Sequence, residues 1–141
     1  MTASLAALLA LVVVVKLDAG GDKDFKALQG TWLLVSAEQN GKEMPADMLK
    51  TAKLIIKGNK HFVSIGGEKC DGTHTLDATT KPKSIDSIDG DRKMLGIYEL
   101  TKGTFKVCFA EPGKDRPKEF TGKEGSGCFV HVWKRAKSTK K

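Results

Sequence analysis

From residue 30 onward the chain is a succession of short apolar or alternating runs, each ended by a turn signal. The runs cover 31–37, 53–57, 61–65, 73–77, 83–88, 94–100, 104–109 and 128–134. Between them stand Asn40-Gly41, Gly58-Asn59, Gly66-Gly67, Asp71-Gly72, Asp89-Gly90 and Lys102-Gly103. Phe105, Val107 and Phe109 fall on one face of their run, as do Leu54 and Ile56, the period-2 pattern of a half-buried strand. Connections this short favour antiparallel neighbours, because a parallel pair needs a crossover of about a dozen residues or more. One short helix is expected near Pro45–Lys50, with Pro45 in its first turn where the missing N–H costs nothing. The expected fold is therefore all-β: an eight-stranded antiparallel up-and-down barrel with one short helix. Closure removes the exposed edges that eight open strands would leave, and a β-sandwich is the rival.

The chain has 141 residues, enough for one domain with one core. A 40% hydrophobic composition excludes wholesale disorder. The net charge of +7 is mostly a C-terminal effect, since setting aside Lys134, Arg135, Lys137, Lys140 and Lys141 leaves about +2. No aromatic residue is interleaved with the charges of the tail, 136–141, so it offers no stacking platform and no nucleic-acid partner is expected. Residues 3–15 are nearly unbroken apolar sequence, too short to span a bilayer and matched to the core of a secretory signal peptide. A leader over 1–19, a domain over 25–135 and export to the periplasm, envelope or medium are expected. The mature chain then has no membrane span.

Two further features point to a family. Gly30-Thr31-Trp32 opens the first run, and Lys134-Arg135 ends the last. Lipocalins open their first strand with Gly-x-Trp, whose Trp plugs the closed barrel end under a basic residue from the last strand. More specifically, 28–32 (LQGTW), 95–100 (LGIYEL) and 107–117 (VCFAEPGKDRP) stand in that order. The chain resembles an uncharacterised domain family abundant in planctomycete bacteria, over residues 25–135. His74 stands where members usually carry an apolar residue. The resemblance implies a lipocalin-like fold and export, with Gly30, Trp32 and Arg135 closing the barrel, and implies no activity.

Catalytic signals are absent from the sequence. There is no phosphate-binding glycine loop, and Gly125-Ser126-Gly127 is a turn rather than a nucleophile elbow. The aspartates at 86, 89 and 91 lack the spacing of a calcium loop and read as surface turn chemistry. The cysteines match no zinc pattern, and nothing in the sequence brings His61, His74, His131 and Cys70 together, so neither metal nor cofactor is expected. His74 and His131 share parity with apolar residues and read as core or wall positions. The candidate ligand or partner site is the loop with Glu111, Lys114, Asp115 and Arg116, in which Arg116 can pair with Glu111 or Asp115. Cys108 and Cys128 flank this loop on neighbouring strands and are the disulfide candidates, leaving Cys70 free. Bulky residues at 32, 62, 105, 109, 129 and 133 lead us to expect a small or filled interior. That favours a non-catalytic interaction or structural module with a protein partner. A carrier of a small apolar ligand is the alternative.

Overall fold

The computed structural model describes residues 19–137. Helix α1 (Ala19–Leu28) leads into β1 (Gly30–Gln39), and a two-residue strand β2 (Lys42–Glu43) folds back on the end of β1. Helix α2 (Ala46–Leu49) follows, then β3 (Lys53–Lys57), β4 (Lys60–Ile65), β5 (Glu68–Asp77), β6 (Lys83–Asp89), β7 (Arg92–Thr101), β8 (Thr104–Ala110) and β9 (Cys128–Arg135). Each long strand pairs antiparallel with the next, and β9 pairs with β1 from Trp32↔Arg135 to Gln39↔Phe129. The result is a closed, eight-stranded, up-and-down barrel with β2 as a short extension.

Alternation turns the apolar side chains inward. Trp32, Leu34, Leu54, Ile56, Ile85, Phe105, Val107 and Trp133 are all buried in one cluster. Asn40 and Gly41 both take positive φ at the hairpin after β1, the conformation that Asn-Gly tolerates best. Proline 45 caps α2 in an extended conformation rather than lying within its first turn.

The structure departs from the sequence reading in two places. Helix α1 was not expected. It sits at the barrel end where Gly30 begins β1, with Leu28 buried and Asp24 7% exposed. Strand β5 starts at Glu68, so Cys70, Asp71 and Gly72 lie in a strand and not in a turn. They pair with Val63, Phe62 and His61. Ladder bonds to β4 outweigh the turn preferences of Asp and Gly there. The expected leader lies outside the described residues except for Ala19, the first residue of α1, as do residues 138–141 of the tail. No helix among the described residues is long and apolar enough to cross a membrane.

Candidate functional site

The barrel is not filled. A cavity of about 290 Å³ runs through its lumen, close to the lower end of typical ligand pockets at roughly 300–1,000 Å³. The bulky aromatics form its walls rather than its plug: Phe105, Phe109, Phe129 and Trp133 line it together with Ile56 and Val107. Cys70 and Arg92 line it too and are exposed. They therefore mark its mouth.

One wall of this apolar cavity is polar. His61 projects from β4, His74 from β5 and Asp89 from the end of β6, and all three line the lumen. His61 Nε2 lies 2.5 Å from Asp89 Oδ1, and His61 Nδ1 lies 3.1 Å from His74 Nδ1. The two rings are stacked, with centroids 5.4 Å apart. Register explains the contact: His61 pairs with Gly72, and Thr73 with Ile88, so Asp89 arrives one level further on. Gly72 stands between His61 and Asp89. A Cβ there would sit 2.1 Å from Asp89 Oδ1 and 2.9 Å from His61 Nε2, so only glycine leaves room for the bridge across β5. His74 Nε2 is buried and has no hydrogen-bond partner among the described residues. Burial, and then the neighbouring His61, pull the His74 imidazole down to about 4. On the opposite wall, burial alone pulls His131 down to about 4, where it packs against Phe129 and Trp133.

This cluster corrects two readings. Asp89 belongs to the lumen, because β6 carries its inward parity through Ile85 and Ser87 to residue 89. The histidines at 61 and 74 do come together, joined by strand pairing that no sequence spacing reveals. Among the described residues no group of three or more His, Cys, Asp or Glu side chains is placed to hold a metal ion. Cys70 is no activated nucleophile: burial and the nearby Asp89 carboxylate raise its thiol above the ordinary range, which keeps it protonated.

The loop after β8 lies elsewhere. Glu111, Lys114 and Asp115 are exposed, and none of them lines the lumen; neither does Arg116. Arg116 pairs with neither Glu111 nor Asp115. Its guanidinium donates to the carbonyls of Ile85 and Gly96 at 3.1 and 2.7 Å and to Asp86 at 2.6 Å. Glu111 pairs with Lys114 at 3.8 Å in solvent, a contact of little energetic weight. Further along, Gly122 O accepts from Gly41 N at 2.8 Å. The segment is thus strapped over the outside of the barrel from β6 round to the β1–β2 hairpin.

Cys108 and Cys128 lie under and beside this strap as free thiols. Cys108 and Cys128 share the outward face, but Cys108 pairs with Val130 and Cys128 with Ala110. They are therefore diagonal neighbours and not a directly facing pair. In the structure both are free thiols rather than the expected disulfide, close enough for Cys128 to act on the Cys108 thiol. Cys108 Sγ instead faces the carbonyls of Glu119 and Thr121.

At the end bearing α1, Trp32 is fully buried and its Nε1 donates to Leu28 O at 2.8 Å. The Arg135 guanidinium lies 4.4 Å from the Trp32 ring centroid. It also donates to Gln29 O at 2.8 Å and to Ala27 O. Gly30 has φ +119°, and a Cβ there would press on Arg135. Asp24 accepts from Tyr98 Oη at 2.7 Å and from Lys83 Nζ at 2.8 Å, which fastens α1 to β6 and β7.

No family model and no curated protein matches the chain. Among solved structures, the crystal structure of a DUF4847 family protein from Bacteroides vulgatus ATCC 8482 is similar. Its TM-score is 0.50 at 12% sequence identity, over 83% of this chain and 98% of that one. The likeness is one of fold.

Proposed function

We propose that this chain is an exported, non-catalytic barrel that holds one small, mainly apolar ligand in its lumen. The observation that carries the reading is the cavity of about 290 Å³ open at the Cys70–Arg92 mouth. A dry apolar cavity of about 150 Å³ holds benzene, so twice that volume suits a two-ring ligand. Docking to a protein partner, favoured on the expectation of a small or filled interior, has less support beside a cavity of this size. Export rests on the apolar run 3–15. The motifs at 28–32, 95–100 and 107–117 support membership of the planctomycete-type family. Binding is tested by titrating 2-methylnaphthalene into the protein and following the heat of binding. A saturable one-to-one change is expected in the natural chain, and none in Val107→Trp, whose indole occupies the lumen. No saturable change in either protein overturns the reading. Intact mass of protein from the native host checks export, and a full-length cytoplasmic species would refute it.

A further inference from the structure

The polar wall carries more than its presence in an apolar cavity. Asp89 as a carboxylate can only accept, so the 2.5 Å contact makes His61 Nε2 the donor. A neutral His61 then keeps its proton on Nε2 and offers a lone pair at Nδ1. The 3.1 Å contact between the two Nδ1 atoms needs one proton, and it must come from His74. His74 thereby spends its only N–H on His61 and is left with a bare lone pair on Nε2. The alternative, with His61 cationic and His74 protonated at Nε2, would strand a buried N–H donor, and among backbone groups such donors are orphaned more rarely than acceptors.

We infer that the ligand of this barrel is a small apolar molecule bearing one hydrogen-bond donor, a hydroxyl or an N–H, which His74 Nε2 accepts. The inference rests on the lumen reading above and narrows it to a chemical class, that of phenols, alcohols and indoles. Two observations point the same way. The orphaned nitrogen belongs to a lining residue that is 4% exposed, so solvent does not satisfy it. The Asp89 carboxylate in the same wall disfavours a ligand anion. A donor on the ligand completes the line Asp89–His61–His74–ligand with every proton used once.

The test is a panel of size-matched naphthalenes at pH 7.5 with the whole chain: 2-naphthol, 2-methylnaphthalene, 2-methoxynaphthalene and 2-naphthoate. 2-Naphthol is expected to bind roughly tenfold tighter than the methyl and methoxy compounds, with 2-naphthoate the weakest. His74→Phe is expected to lose the preference for 2-naphthol over 2-methylnaphthalene, whatever its absolute affinity for either. Should that variant not fold, the natural chain's ranking decides alone. Equal or tighter binding of the methoxy compound or the acid overturns the inference while leaving the lumen reading intact. Survival of the preference in a folded His74→Phe overturns it as well. If no member of the panel binds, the lumen reading itself falls and takes this inference with it.

Discussion

The two sides of this barrel interior treat polar groups in opposite ways. At the end under α1 each has its partner: Trp32 Nε1 has Leu28 O, Asp24 has Tyr98 and Lys83, and Arg135 has the carbonyls of Gln29 and Ala27. In the wall made by β4, β5 and β6, two histidines and an aspartate share a line of hydrogen bonds that ends in an orphaned nitrogen. A fully satisfied network rigidifies, whereas a partly satisfied one costs stability. The contrast separates the part of the interior that stabilises the fold from the part that does not. The closed end leaves none of these groups unpaired, and the wall carries the penalty of one unpartnered nitrogen.

The largest test of this contrast is Trp32→Ala. It should cost about 3–5 kcal/mol in a urea melt, as for other buried aromatic truncations. A loss under about 1 kcal/mol would remove the closed end from the stability argument. The second test is pH. An unfolded histidine takes up its proton near 6.5, whereas folded His74 and His131 resist until about 4. In that window the unfolded chain binds more protons, so stability is full above pH 6.5 and drains away as pH falls toward 4. His74 alone contributes a loss on the order of 3 kcal/mol. His74→Phe should flatten the profile, and an unchanged slope in that variant would place the titration elsewhere. The smallest effect is that of Gly72→Ala. The new methyl meets Asp89 Oδ1 at 2.1 Å and the Ile88 carbonyl at 2.2 Å, so it should cost about 1–3 kcal/mol. Its imidazole NMR signals should also show the His61–Asp89 bond broken. Intact signals would mean that the wall yields more easily than its packing implies.

The fold was largely legible in the sequence because its strands advertise themselves locally. Phe105, Val107 and Phe109 alternate, as do Phe129, His131 and Trp133, and short turns between such runs leave few topologies open. The start of β5 was hidden because Glu68 to Gly72 has the composition of a turn, and pairing with β4 decides it instead. The site was legible only in part. Parity turned His74 and His131 inward. Yet Asp89 sits beside a glycine in what reads as a surface turn, and its partner His61 lies 28 residues earlier. That contact depends on the register of β4–β6 and on the space above Gly72, neither of which any spacing encodes. Arg116 misled for the same reason: charged neighbours stood close in sequence, but its acceptors lie on β6 and β7.

The segment from Glu111 to Gly127 acts on the barrel as a hoop acts on staves. Any increase in girth that parts β6 and β7 from the β1–β2 hairpin must strip Arg116 from its three acceptors or pull Gly122 from Gly41. The strap therefore limits the width of the arc that runs from β6 through β7, β8 and β9 to β1. That arc is held by a belt of residues none of which lines the lumen.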